Sequence, residues 1–444
     1  MGSWKHQAMS ALRESHHGAL LAALGKWLLL GGLVGVLAGT ASAWFLKALN
    51  AATELRVQHG WLLFLLPLGG ALISWLYMKA GKNSARGNNL ILEQIAGGQE
   101  AVPLRMAPLV LLGTLTTHLF GGSAGREGTA VQMGGSLADA LGRLLRIGRD
   151  DRAILLICGI SGGFGSVFGT PLAGTVFALE VLAIGLLRYE ALIPALIAAL
   201  VGNSVAVSVW HAPHSHYHIE AAPELSALLL GKVLLASAVF GLVSLLFSEA
   251  THALKALYTR LLPNPLAKAA AGGLIVIALT YLLGTRDYLG LGLPLIERSF
   301  DSGAGLLTFL WKLIFTSLTL GAGYQGGEVT PLFAIGATLG SALSQLLHVS
   351  GPFLAALGFI GVFCGAANTP LACFIMGIEL FGIGGTGGLV YMFVACAVSY
   401  LFSGHTGIYT SQRVAVSKSL LAPLPGGLTL ASFKQQKAQR RQRP

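Results

Sequence analysis

Thr170-Pro171-Leu172-Ala173, with Glu180 nine residues beyond the proline, returns later as Thr369-Pro370-Leu371-Ala372, with Glu379 at the same spacing. Ahead of the first copy stands Gly125-Arg126-Glu127-Gly128-Thr129. Ahead of the second stands Gly326-Gly327-Glu328-Val329-Thr330-Pro331. In both, a threonine lies two residues after the glutamate, and an apolar stretch follows. Four matching residues plus a glutamate at fixed distance, in the same order, mark an internal duplication of the kind found in membrane transporters.

Each Thr-Pro pair reads as a helix start: threonine can cap the helix, and proline is at home in its first turn. Apolar segments flank these starts, which places them at membrane depth. A helix N-terminus presents unpaired N–H groups and a partial positive charge, a setting that suits an anion. Four such starts, two per repeat, are expected to converge on one anion site.

The bulk composition agrees. Of 444 residues, 54% are hydrophobic and 11% charged, with mean hydropathy +0.70. A soluble domain carries about 25% charged residues. A chain this long with so few charges has lipid as its solvent. The apolar run from Gly18 to Leu49 exceeds the roughly 7–15 residues of a signal-peptide core, so it reads as a membrane helix. Twelve more apolar stretches follow between Trp61 and Phe402. Several fall short of the ~20 residues a perpendicular span needs, which points to half-helices ending inside the membrane. The 60 glycines fit close helix packing in lipid. Cys158, Cys364, Cys373 and Cys396 show no metal spacing and read as packing residues.

The formal charge of +11 gathers in tails and loops, notably Lys434, Lys437, Arg440, Arg441 and Arg443. Such juxtamembrane runs are topology signals, so no nucleic-acid partner is expected. By the positive-inside rule both tails are cytoplasmic. The run Arg143, Arg146, Arg149, Arg152 fits no simple two-sided scheme. The sequence divides into an N-terminal tail (1–17), a first half (18–210), a His-rich linker (211–224), a second half (225–420) and a basic C-terminal tail (421–444).

Glu127, between glycines at a helix start, has two readings. It complements the helix dipole, worth about 0.3–1 kcal/mol. Alternatively it is a gate that fills an anion site when ionised and leaves carrying a proton. Ionisable groups inside a membrane are functional by default. Glu328 carries the same pair of readings. Glu180 and Glu379 read as structural, bonded to backbone N–H or arginine. His211, His214, His216 and His218 crowd the linker, but Pro213 opposes a helix there. The stretch therefore reads as a solvated loop, with adventitious zinc or nickel binding the alternative. No H-E-x-x-H, G-x-S-x-G or Walker A motif is present, so no enzyme, cofactor or resident metal is expected.

Taken together, Gly125-Arg126-Glu127-Gly128, the stretch 327–331, the two Thr-Pro-Leu-Ala helices and Tyr409 in Gly407-Ile408-Tyr409 resemble the CLC family of chloride channels and proton-coupled anion antiporters. The resemblance covers about residues 18–420. It implies an all-α integral membrane fold, an inverted repeat with broken and re-entrant helices, and a homodimer with one anion pathway per subunit. It gives Glu127 the role of gating glutamate, and Tyr409 that of a central tyrosine facing the anion.

The departures from the family pattern are specific. Where chloride-handling members have Gly-Ser-Gly-Ile-Pro, this chain has Gly87-Asn88-Asn89-Leu90-Ile91. Thr129 replaces a proline after Gly-Arg-Glu-Gly. Glu328-Val329-Thr330 stands where a phenylalanine is usual. All three look like the fluoride branch of the family, bacterial fluoride/proton antiporters of the cytoplasmic membrane. The resemblance thus makes Asn88, Asn89, Thr129, Val329, Thr330 and Tyr409 the expected anion-binding set. Fluoride is charge-dense and strongly hydrated, so amide and hydroxyl donors are apt replacements for its water. Asn88 and Asn89 have a plainer reading as turn or cap residues. Glu180 is followed by Val181, where chloride/proton antiporters often have a second glutamate. That leaves Glu328 as the candidate second proton-linked carboxylate. The alternative function is a chloride/proton antiporter or passive anion channel of the same fold.

Overall fold

A computed structural model describes residues 16–214, 217, 219, 223–383, 385–419 and 426–441. His216, His218 and Arg443 lie outside the described residues, as do most of the N-terminal tail and the start of the C-terminal one. Helices account for nearly all regular structure. Before the connection at 211–226 the chain runs through α1 (His16–Gln58), α2 (Leu66–Leu76), α3 (Asn88–Ile95), α4 (Met106–Leu119), α5 (Glu127–Leu144), α6 (Arg149–Phe168), α7 (Pro171–Glu180) and α8 (Leu192–Ser204). After it come α9 (Ala227–Leu261), α10 (Pro265–Leu283), α11 (Leu293–Asp301), α12 (Thr308–Gly321), α13 (Val329–Leu347), α14 (Gly351–Ala367), α15 (Pro370–Phe381) and α16 (Thr386–Phe402). The basic helix α17 (Leu430–Arg441) closes the order.

Seven helical runs among the described residues are long and apolar enough to cross a membrane, while six others of 10–17 residues are too short. Leu28, Leu72, Leu228 and Leu282 face outward. In water such a surface would aggregate; in lipid it is the solvated one. The chain is therefore an integral membrane protein, all-α, with helices that start and stop inside it.

Close packing explains the glycines of α1. Gly31, Gly35 and Gly39 recur every four residues and meet α8. A Cβ on Gly35 would stand 2.7 Å from the Ala198 carbonyl, and one on Gly39 would stand 2.3 Å from that of Gly202. Without hydrophobic driving force in lipid, such backbone approach supplies the dispersion contact that holds helices together. The core between the two repeats is aromatic: Phe168 packs on Phe333 at 5.3 Å and Phe164 on Phe363 at 6.3 Å. All four cysteines are buried free thiols.

The Thr-Pro starts fold as helices at the expected residues, but they are not capped as expected. Neither Thr170 nor Thr369 makes a side-chain cap bond. Instead, Glu379 accepts from the N–H groups of Leu172 (3.0 Å) and Ala173 (2.8 Å), at the start of α7. Glu180 accepts from those of Leu371 (3.1 Å) and Ala372 (2.9 Å), at the start of α15. Each repeat's glutamate caps the other repeat's helix. A carboxylate outcompetes a hydroxyl here because it takes two N–H groups and neutralises the helix's positive end.

Two sequence readings are further refined. The described part of the linker is not a solvated loop: His214 Nε2 bonds the Ser166 carbonyl at 2.8 Å, and Tyr217 stacks on Phe300 at 5.2 Å. Its apolar neighbours Ala212 and Ile219 are buried, so the segment packs onto the protein rather than floating in water. Of the four-arginine run, Arg143 and Arg152 both pair with the fully buried Asp139, joining α5 to α6.

Candidate functional site

Two loops carry the glutamates to one place. Gly125 N–H donates to the Gly327 carbonyl at 2.6 Å, and Gly327 N–H to that of Gly125 at 2.8 Å. This isolated antiparallel bridge sets the start of α5 beside the start of α13. Only glycine fits. A Cβ on Gly125 would lie 2.7 Å, and one on Gly327 2.8 Å, from Glu127 Oε2.

The Glu127 carboxylate therefore lies over the bridge, only 1% exposed. Its Oε1 accepts from the Thr330 hydroxyl. Its Oε2 has no hydrogen-bond partner among the described residues. A buried carboxylate with one oxygen unbonded is unusual in a purely structural role. Gly327→Ala is expected to push this side chain off the bridge, because the nearest atoms to the new methyl group include the Gly128 backbone nitrogen at 2.8 Å. Transport assays on that variant should show the change at Glu127 even where the protein folds.

Beside the bridge opens a cavity of about 550 Å³ whose lining includes Asn88, Gln132, Glu328 and Tyr409. Asn88 is the first residue of α3, and its Oδ1 is buried with no hydrogen-bond partner among the described residues. Its Nδ2 would lie 3.2 Å from a Cβ on Gly128, so the amide rests against the start of α5. Gln132 also lines the cavity, its buried Oε1 with no hydrogen-bond partner among the described residues. Tyr409, 6% exposed, borders both this cavity and a narrow recess beside Phe177. The cavity's charged lining is mostly cationic: Lys82, Arg86, Lys255 and Lys268 against Glu328, with Arg86 paired to Glu93 and Glu100. Such a vestibule concentrates small anions.

The expected residues separate accordingly. Glu127 and Thr330 meet directly, and Asn88, Glu328 and Tyr409 share the cavity. Asn89 borders it too, but its Oδ1 accepts from the Ser411 N–H at 2.9 Å, two residues past Tyr409. Thr129 turns its hydroxyl to Thr114 on α4 at 2.6 Å and does not line the cavity. Val329 is core, 1% exposed. The four helix starts do not converge on one anion position: those of α7 and α15 are filled by Glu379 and Glu180, which leaves α5 and α13. Gln132, Lys255 and Lys268 were not singled out from sequence. The one available signal for Gln132 was a lone amide in a run of small and apolar residues. Among the described residues no group of three or more His, Cys, Asp or Glu side chains stands together; His216 and His218 lie outside them.

A family model described as voltage gated chloride channel matches residues 69–404. The chain belongs to the CLC family. A chloride/fluoride channel protein of Pseudomonas syringae pv. tomato is 48% identical over 437 residues, 97% of this chain and 96% of that one. The H(+)/Cl(-) exchange transporter ClcA of Vibrio cholerae is 27% identical over 390 residues, 80% of this chain and 81% of the other. Among solved structures, a CLC-type fluoride/proton antiporter superposes with TM-score 0.85 at 36% identity, covering 90% of this chain and 99% of that one. A slow cyanobacterial Cl-/H+ antiporter superposes at 0.76 with 19% identity and shares the fold. Within the CLC fold, then, the two glutamate-bearing loops and the Asn88–Tyr409 cavity form the candidate site of this chain.

Proposed function

We propose that this protein is an anion transporter that exports fluoride in exchange for protons, with Glu127 as the moving gate. The observation that carries the reading is the placement of Glu127. Its carboxylate sits at two helix N-termini, bonded by the Thr330 hydroxyl and flanked by a cationic vestibule. Ionised, it occupies a position made for an anion. Protonated, it loses the charge that holds it there and yields the place to fluoride, carrying its proton onward. The 48% identical chloride/fluoride channel protein and the 36% identical fluoride/proton antiporter support fluoride as cargo.

Asn88 and Tyr409 meet the anion from the vestibule side, and Thr330 is released to it when Glu127 leaves. Fluoride needs strong donors to replace its water, and an amide, two hydroxyls and backbone N–H groups supply them. Glu328, the one acid in the described lining of the cavity, serves as the second proton-linked carboxylate. The protein works as a homodimer in a bacterial cytoplasmic membrane with both termini in the cytoplasm.

The test is efflux from reconstituted vesicles, read side by side with fluoride- and chloride-selective electrodes and a pH electrode. Fluoride efflux faster than chloride efflux, accompanied by proton uptake, is the expected result. Equal efflux of the two anions defeats the fluoride assignment. Fluoride efflux with no proton movement leaves a passive channel as the correct reading.

A further inference from the structure

A second cavity, of about 400 Å³, lies at the other end of the molecule. It is lined by Arg56 and Arg286 together with Gly60, Leu63 and the 289–294 segment. The helical run from Gly60 to Gly81 connects it to the vestibule: Leu63 borders one cavity, and Tyr77 and Met78 border the other. Fourteen or more helical residues span roughly 20 Å or more, which places the cavities toward opposite membrane faces.

The charges here are lopsided. The Arg56 Nε is buried with no hydrogen-bond partner among the described residues. The Arg286 guanidinium lines the same cavity and packs against Gly60, where an added Cβ would meet its Nη1. Two carboxylates reach this cavity. Asp287 is taken by Arg298 through two bonds of 2.8 Å, and Glu297 is exposed and forms no ion pair among the described residues. Behind Arg56 the cationic character deepens. Lys312 is fully buried and among the described residues bonds only neutral oxygens: Ser123 Oγ (2.9 Å), the Tyr288 carbonyl (3.1 Å) and the Gly290 carbonyl (2.7 Å). A Cβ on Gly290 would stand 3.2 Å from Arg56 Nη2 and 3.8 Å from His118 Nδ1, which is itself buried with no hydrogen-bond partner among the described residues.

This cluster abuts the loop that delivers Glu127. Gly290 N–H donates to the Gly122 carbonyl at 3.1 Å, and Lys312 holds Ser123. Leu293 borders both this cavity and the small recess bounded by Arg126 and Thr330. The recess beside Thr330, which holds Glu127, thus shares the Leu293 wall with this cavity. Neighbouring guanidiniums without carboxylates are held together more easily when an anion sits between them. The cavity is many times the ~30 Å³ of a water molecule, so the anion keeps part of its hydration.

We propose that Arg56 and Arg286 form a binding site for a small inorganic anion, and that this site is the second mouth of the anion pathway. Its role as a mouth rests on the exchange reading above; the binding does not. The experiment uses the full chain and the variants R56Q, R286Q and R56Q/R286Q, in oriented vesicles of uncharged lipid and by titration calorimetry in detergent with sodium fluoride, sodium chloride and inorganic phosphate. The double variant should raise the half-saturating fluoride concentration on the Arg56 face by at least about threefold. The maximal rate and the half-saturation on the vestibule face should stay unchanged, and the difference should shrink in high salt. Half-saturation unchanged on both faces, or raised equally on both, overturns the proposal, as does calorimetry in which only phosphate binding is lost. If no anion is transported at all, the exchange reading fails alone, and loss of fluoride or chloride heat in R56Q/R286Q still supports the site.

Discussion

Glu127→Gln is expected to abolish proton movement coupled to anion flux while the protein stays folded. The amide keeps the size of the side chain, and its carbonyl oxygen can still accept from the Thr330 hydroxyl, the one side-chain bond Glu127 makes. What it loses is the charge and the proton. A neutral amide cannot be driven off the two helix N-termini by protonation, so the cycle has no proton-carrying step. The loss on the folded state is modest, because a charge-assisted bond of about 1.5–3 kcal/mol becomes a neutral one of about 0.5–1.5 kcal/mol. Proton flux should therefore drop to background with the thermal midpoint nearly unchanged, a separation that simple unfolding cannot give. Glu127→Ala should also uncouple, and by emptying the place over the Gly125–Gly327 bridge it should let anions pass more freely. Full coupling in either variant would remove Glu127 from the gate. Glu328→Gln is the natural companion, since it tests whether the second carboxylate handles protons or only shapes the vestibule field.

How far the site could be read from sequence depended on the range of the interaction. The duplication, the helix starts and the position of Glu127 are local patterns, and the structure forms those helices at the expected residues. The partners of those residues are not local. Glu180 and Leu371 are separated by 191 residues, Asn89 and Ser411 by 322, Thr330 and Glu127 by 203. No spacing rule reaches across such distances. Asn88 and Asn89 illustrate this best. As neighbours in sequence they looked alike, yet they point about 100° apart around α3. One amide lies against the start of α5, while the other fixes the loop behind Tyr409. Thr129 failed as a cavity residue for a related reason: its hydroxyl found Thr114 on the adjacent helix, satisfying a buried donor that would otherwise cost about 1–3 kcal/mol. Lys255, Lys268, Arg56 and Lys312 were invisible because each sits alone in an apolar or loop stretch. Only the fold gathers them into charged cavities.

Glu180→Ala and Glu379→Ala should each destabilise the protein by about 3–6 kcal/mol, the sum of two charge-assisted bonds of about 1.5–3 kcal/mol each at a helix N-terminus where water is scarce. Each removes the acceptor for two N–H groups: Leu371 and Ala372 in the first case, Leu172 and Ala173 in the second. The midpoint of thermal unfolding in detergent should fall by several degrees. Glutamine at either position should recover part of the loss, because its one oxygen can satisfy one of the two donors. The double variant should cost less than the two single variants added together. The caps are reciprocal, α7 and α15 pack on each other, and loosening one end weakens the contact that holds the other in register. Proton coupling in the surviving protein should be retained, which separates this role from that of Glu127. An unchanged midpoint with lost coupling at Glu180 would show the reverse: a proton carrier resting on a helix end rather than a cap. The distinction matters for the duplication itself. If the caps are structural, the two repeats are bound by a symmetric pair of bonds that neither could make alone, and the glutamate nine residues after each proline is there for the other half of the molecule.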